Sequence, residues 1–225
     1  GASQYHYFHN LDNKRIAPLY DANLGISFSN EKIKEIIERL GLSYKYLEDD
    51  TLFKYVAKSI SNNNVIGFFD GKAEFGPRAL GSRSILADPR NSKAQQLLNE
   101  KIKKRESFRP FAPSILEEYG EEYFENYQFT PFMERVLPIR KEKQKLIPAV
   151  THVDGSGRLQ SVKETLRPRY YRLIKEFYEI TGVPILINTS FNENEPVVNI
   201  PEEAIDCYLR TDMDMLVLGN YILKK

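Results

Sequence analysis

The sequence predicts an α/β (α+β) domain, a twisted mixed sheet flanked by helices, and three observations carry that prediction. Short apolar runs of strand length recur at residues 65–69, 84–87, 183–188 and 215–218. Between them lie stretches with the i, i+3, i+4 spacing of amphipathic helices. The two kinds are mixed without a regular strand-helix-strand repeat, which disfavours a doubly wound parallel sheet.

Residues 1–28 are rich in Tyr, His and Asn, lack periodicity, and read as an irregular lead-in. Ile33, Ile36, Ile37 and Leu40 then define one helical face, with Ser29 or Asn30 as N-cap and Gly41 as the stop. Asp49 and Asp50 open a second helix carrying Leu52, Val56 and Ile60, which the triple Asn62-Asn63-Asn64 ends. After the 65–69 strand, residues 70–83 hold glycines, a proline and two arginines and read as a loop, followed by the 84–87 strand. Ser92 caps a helix reaching about Arg105, with Leu97, Leu98 and Ile102 inward, and Ser114 with Glu117 makes a capping box for a short helix. The charged stretch 139–150 reads as a solvated connector. A long helix runs from about Glu164 to Thr181, bearing Tyr171, Ile174, Phe177 and Tyr178, and stops at Gly182. Pro201 starts a last helix with Ala204, Ile205, Tyr208 and Leu209, and residues 215–218 close the sheet.

At 225 residues, of which 41% are hydrophobic, the chain is large enough for one sizeable core. A net charge of +1 leaves nothing global to recruit nucleic acid or an anionic membrane, so any basic site is local. The single cysteine, Cys207, excludes an internal disulfide and fits a cytoplasmic setting. No apolar stretch reaches the roughly 18–20 residues of a membrane span. The start Gly-Ala-Ser-Gln suggests an expressed fragment with a domain upstream.

Four segments hold the chemistry. Residues 71–84 have phosphate-loop glycine spacing, but Pro77-Arg78 stands where a Walker A loop has Lys-Ser/Thr; Arg78 and Arg83 offer forked donors to an anion, or are two surface arginines on a tight turn. Lys103, Arg105 and Arg109 leave a helix end, where cations also complement the macrodipole, but Arg109 is followed by a stiff Pro-Phe-Ala-Pro run that can fix it against a pocket wall. If the flanks of 151–160 are extended, His152 and Asp154 share one face and Arg158 and Gln160 another; a His beside an Asp is also a common structural hydrogen bond. Asn188, Ser190 and Asn192 sit at the end of the 183–188 strand, where open sheets place ligands, or form an Asn-rich turn. Ser190 lacks a nucleophile elbow, so it reads as a hydrogen-bonding group. His6 and His9 have helix-compatible ligand spacing, but no third ligand is near, and no metal set is expected.

Together and in this order, these segments resemble the carbamoyltransferase C-terminal domain of NodU/cephamycin-type O-carbamoyltransferases. The matching phrases are Glu74-Phe75-Gly76-Pro77-Arg78-Ala79-Leu80-Gly81, Arg83-Ser84-Ile85-Leu86-Ala87-Asp88-Pro89-Arg90, Lys103-x-Arg105-Glu106-x-Phe108-Arg109-Pro110-Phe111-Ala112-Pro113, Thr151-His152-Val153-Asp154-Gly155 and Asn188-Thr189-Ser190-Phe191-Asn192. The resemblance spans about residues 19–225 and leaves 1–18 as lead-in or tag remnant. It implies a YrdC-like fold that, with ATP, converts carbamoyl phosphate into carbamoyl adenylate. A Kae-like N-terminal transfer domain of the same polypeptide, expected outside this chain, would pass the carbamoyl group to a hydroxyl. Lys103 and Arg109 are then implied at phosphate or carbamoyl oxygens, as the catalytic pair. Arg78, Arg83, Arg105, His152, Asp154 and Arg158 are implied as substrate or nucleotide ligands, with Asn188, Ser190 and Asn192 at the adenylate. ATP enters as substrate, with Mg2+ left open. The competing readings are a nucleic-acid-binding module and a nucleotide-binding regulatory module without turnover.

Overall fold

The computed structural model describes residues 1–17 and 21–225, so the domain boundary expected at 18/19 lies outside the described residues. The helices are α1 (Ala2–Tyr5), α2 (Asn30–Arg39), α3 (Asp49–Ser61), α4 (Ala94–Leu97), α5 (Gly120–Tyr123), α6 (Lys141–Gln144), α7 (Pro168–Thr181) and α8 (Pro201–Arg210). The strands are β1 (Lys45–Tyr46), β2 (Ile66–Phe69), β3 (Arg83–Ala87), β4 (Ala112–Leu116), β5 (Arg135–Pro138), β6 (Ser156–Val162), β7 (Ile185–Ser190), β8 (Met215–Leu218) and β9 (Tyr221–Lys224).

The strands form one mixed sheet in the order β1-β9-β8-β2-β3-β7-β4-β6-β5. Pairing is parallel at β2–β8 and β4–β6 and antiparallel elsewhere. The strands β2, β3 and β8 are buried along their whole length, which is why β2, β8 and residues 85–87 of β3 read as continuous apolar runs rather than as alternation.

The helices follow their patterns. The Ser29 hydroxyl accepts from the Lys32 amide at 3.3 Å and starts α2, whose Ile33, Ile36 and Ile37 are buried; each such side chain contributes roughly 1.5–3 kcal/mol of burial. Leu40 falls past the last turn and is half exposed. Gly41, at φ +68, ends the helix as expected. Helices α3 and α7 pack on each other, and their Leu52, Phe53, Val56, Leu173, Ile174 and Phe177 are buried in one hydrophobic core.

Several expectations are corrected. The lead-in is partly helical: α1 continues into a π-helical turn at His6–Asn10, held by local backbone bonds with no buried side chain. Ser114 is not a helix cap; it sits in β4, paired on both sides by β6 and β7, because tertiary pairing overrides the local capping signal. The helix expected to reach Arg105 ends as α4 plus a π turn at Leu98–Ile102, and its wider winding leaves Leu97 exposed while Leu98 and Ile102 are buried. In α8, Leu209 faces solvent. The 139–150 stretch is a connector only in part, since Ile139, Ile147, Ala149 and Val150 are buried. Strand β8 is interior, because β9 and β1 lie outside it.

Candidate functional site

A cavity of about 350 Å³ opens at the C-terminal end of β7. Its wall comes from the 77–79 loop, the 105–112 segment, Met133 and Val136, the His152 turn with Arg158 of β6, and the end of β7, so five separate stretches of sequence meet there. Four guanidinium-bearing residues line it: Arg78, Arg105, Arg109 and Arg158. His152, Asn188 and Ser190 complete the polar lining, and Phe111 and Met133 supply apolar wall. A second hollow of about 550 Å³ adjoins it, sharing Pro77, Arg78, Met133 and Arg158 and extending over Leu24 and Phe75.

The loop carrying Arg78 is shaped from within. The Glu74 carboxylate accepts from the amides of Leu80 at 2.8 Å and Ser82 at 2.6 Å, which folds residues 74–82 back on themselves. Gly81 makes that return possible with φ +104, and its missing Cβ leaves room for the Tyr170 ring. Arg83 lies off the cavity wall, almost wholly buried. Its guanidinium donates to the carbonyls of Asp70 (3.0 Å), Gly71 (3.2 Å) and Ile26 (3.3 Å) and stacks on Phe69 at 3.5 Å. Burial pushes its pKa down to about 10, against the pull of Glu74 and Asp70. It braces the loop by satisfying carbonyls that would otherwise be orphaned.

Beneath the cavity a buried network ties this loop to the sheet. Gln160 donates to Leu80 O at 2.8 Å, and its Oε1 accepts from Asn188 Nδ2 (3.0 Å) and Ser114 Oγ (2.6 Å). Asn188 Nδ2 also donates to Ala79 O at 3.2 Å. Because both backbone carbonyls only accept, the two amide orientations are fixed. Asn188 Oδ1 is buried without a hydrogen-bond partner among the described residues, and the buried Tyr170 hydroxyl lies beside Ser114 and Asn188.

Lys103 is 2% exposed and sits behind Ser190 rather than on the wall. Its Nζ donates to Ser190 O (2.5 Å), Asn192 O (2.8 Å) and Asn192 Oδ1 (2.7 Å), with Ser190 Oγ at 3.2 Å. Burial, aided by Arg105, pushes its pKa down to about 7. Asn192 thus serves Lys103, and the two place the Ser190 hydroxyl. Arg105 donates to Asn99 Oδ1 at 2.7 Å and lies 5.0 Å from the Phe111 ring; burial lowers its pKa. Arg109 is half exposed, with Glu106 at 4.0 Å.

Residues 151–155 form a turn, closed by the Gly155 amide on His152 O at 2.9 Å, rather than the extended pair expected for His152 and Asp154. His152 lines the cavity, while Asp154 lies off it and accepts from Ser156 Oγ at 2.6 Å. His152 Nδ1 is 3.2 Å from the same Ser156 Oγ. Burial lowers the His152 pKa, with Asp154 opposing and Arg158 reinforcing the shift. Arg158 and Gln160 lie on β6 with period 2, the first on the wall and the second under it.

Of the eleven residues marked in the sequence, seven line the cavity: Arg78, Arg105, Arg109, His152, Arg158, Asn188 and Ser190. Lys103 and Asn192 support it from below, and Arg83 and Asp154 are turned elsewhere. Sequence reasoning missed Ser114 and Tyr170; the first carried a false capping signal and the second sat inconspicuously on a helix face. Among the described residues no group of three or more His, Cys, Asp or Glu is placed to hold a metal ion, and no helix is long and apolar enough to cross a membrane.

Comparison with known proteins fits this arrangement. A family profile described as "Carbamoyltransferase C-terminus" matches residues 57–225. An uncharacterized protein of Synechocystis is 44% identical over 96% of this chain and 39% of its own length. Nodulation protein NolNO of Sinorhizobium fredii is 49% identical over 78% of this chain and 26% of its own. The chain therefore spans well under half of these curated relatives. A solved structure of full-length HypF, in a phosphate- and nucleotide-bound form, superposes with a TM-score of 0.56 at 19% identity, covering 76% of this chain and 25% of that one, which makes the fold YrdC-like.

Proposed function

This chain belongs to the carbamoyltransferase C-terminal family, and from that premise we propose that its cavity binds ATP and carbamoyl phosphate and forms carbamoyl adenylate. The observation that carries the reading is the convergence of Arg78, Arg105, Arg109 and Arg158 on one cavity in a chain of almost balanced charge. Carbamoyl phosphate and ATP bring several negative charges together, and fixed guanidiniums meet charge that develops during phosphoryl and nucleotidyl transfer. Arg109 and Arg105 face phosphate or carbamoyl oxygens, and Lys103 acts on them through the Ser190 hydroxyl it positions. Arg78 and Arg158 stand where the cavity joins the second hollow, which offers a nucleotide the room that 350 Å³ lacks. Mg2+ would arrive with ATP. HypF, whose structure holds phosphate and nucleotide, supports the choice of ligand class.

In this reading a carbamate oxygen attacks the α-phosphorus of ATP and pyrophosphate departs. A transfer domain elsewhere in a longer polypeptide, working in the cytoplasm where ATP is supplied, hands the carbamoyl group to a hydroxyl. Calorimetric titration of ATP and of a non-hydrolysable carbamoyl-adenylate mimic into wild type and Arg109→Ala tests it. The mimic should bind more tightly than ATP, and the variant should lose about 10–100-fold, one charge-assisted contact of roughly 1.5–3 kcal/mol. Arg109 is half exposed, so the variant should melt as wild type does. Absence of binding by either ligand, or equal binding by the variant, refutes the assignment; tighter binding of RNA with a steep salt dependence would favour a nucleic-acid module.

A further inference from the structure

The charged groups of the cavity lining are four arginines, whose guanidiniums never accept a proton near neutrality, while the Ser190 hydroxyl gives its one proton to Asn192 Oδ1 and accepts from Lys103. Among the lining residues, His152 alone bears a side chain able to take up a proton in that range. Its surroundings determine which nitrogen is free to do so. Asp154 is exposed and held in its ionised form by hydrogen bonds from Ser156, so it only accepts. The single hydroxyl proton of Ser156 therefore goes to Asp154 Oδ1 at 2.6 Å, and toward His152 the Ser156 oxygen can only accept. Nδ1 at 3.2 Å consequently carries the imidazole hydrogen. The neutral ring is left with a bare lone pair on Nε2.

We propose that His152, fixed in this tautomer by the Ser156–Asp154 relay, is the proton acceptor of the cavity and activates the water that cleaves carbamoyl phosphate. This rests on the carbamoyl-adenylate reading above. The water oxygen bonds to the carbamoyl carbon while its proton moves to Nε2. The carbon–oxygen bond to phosphate breaks, phosphate leaves with the electron pair, and the imidazolium returns the proton to it. Carbamic acid remains and ionises to the carbamate that attacks ATP. His152 and the nucleophile would be catalytic partners, whereas Ser156 and Asp154 are positioning residues that never touch substrate.

The relay resembles a Ser-His-Asp arrangement only in its logic of orientation; here the hydroxyl is the orienting link and not the nucleophile. The charged groups facing His152 are Asp154 on its own turn, Arg158 on β6, and Arg78, Arg105 and Arg109 around the cavity. Lys103 titrates in a nearby range behind Ser190, but its ammonium is tied to Ser190 and Asn192 oxygens, which casts it as donor.

Two measurements on the same chain decide the matter. Nitrogen-15 NMR of the histidine side chains should show His152 with hydrogen on Nδ1 in wild type and a shift toward the Nε2–H form in Ser156→Ala and Asp154→Asn. An Nε2–H wild type overturns the relay whatever the protein's activity. Phosphate and pyrophosphate release from carbamoyl phosphate plus ATP should fall about 10²–10⁴-fold in His152→Gln. Wild-type rates should decline as pH falls through the depressed His152 pKa, and that acid limb should vanish in the variant. A His152→Gln enzyme with undiminished rate and the same limb overturns the inference while leaving the adenylate reading intact. Wild type that binds neither ATP nor the adenylate mimic overturns both.

Discussion

Replacing Gly81 with alanine should be among the most damaging single-methyl changes in the chain. At φ +104 any side chain is strained, a cost of about 1–3 kcal/mol. The added Cβ would also lie 2.2 Å from Cδ1 of Tyr170 and 2.5 Å from its Cγ. That ring is 2% exposed and packed among core residues, so it cannot swing aside, and overpacking of this kind adds about 1–3 kcal/mol. The sum is about 2–6 kcal/mol. Gly182→Ala is the matched control: its φ is +71, but nothing lies within 4 Å of the position a Cβ would take, so only the backbone cost of about 1–2 kcal/mol applies. Urea unfolding followed by circular dichroism reads the difference. With a slope near 3 kcal/mol/M for a domain of this size, Gly81→Ala should lower the midpoint by roughly 1–2 M and Gly182→Ala by well under 1 M. Equal shifts for the two variants would refute the assignment of Gly81 to close packing against Tyr170.

Lys103 predicts a pH signature. Its folded pKa of about 7 lies below the 10.5 of an exposed lysine, so between those values the unfolded chain binds more protons and stability should rise with pH, by at most about 1.4 kcal/mol per unit. Denaturation at pH 7, 8 and 9 should show wild type gaining on Lys103→Met; a constant difference speaks against a buried, perturbed ammonium. Arg83→Lys keeps the charge but cannot serve the carbonyls of Asp70, Gly71 and Ile26 together. It should cost about 2–4 kcal/mol in a thermal melt, and a loss below 1 kcal/mol would mean that Arg83 does not brace the loop.

What the sequence disclosed and what it hid have physical causes. Helices α2, α3, α7 and α8 were legible because each presents one apolar face to one core, and β2, β8 and residues 85–87 of β3 because burial on both sides favours a continuous apolar run. Strand β4 was hidden by its own contents: Pro113 and Ser114 look like a turn and a cap, yet Ser114 is needed inside the sheet to bond Gln160 and Asn188. Strands β1, β5 and β9 lie toward the sheet margins, where short or half-exposed segments carry weak patterns. The cavity arginines were legible from forked donors beside rigid or glycine-rich backbone. Arg83 has the same chemistry and local setting as Arg78, and only the third dimension shows that one faces the cavity while the other faces the backbone.

The sheet's wiring also bears on how the protein is made. Strands β2 and β3 are neighbours in sequence and pair at once, but the outer side of β3 waits for β7, paired through Ala87 and Ile187, and the outer side of β2 waits for β8. At synthesis rates of about 5–20 residues per second, the roughly 100 residues in between represent about 5–20 s during which a two-stranded ribbon of buried type stands open on both edges. Asn188 and Ser190 travel on the very strand that seals the β3 edge, so the basic cavity cannot assemble before that edge is covered.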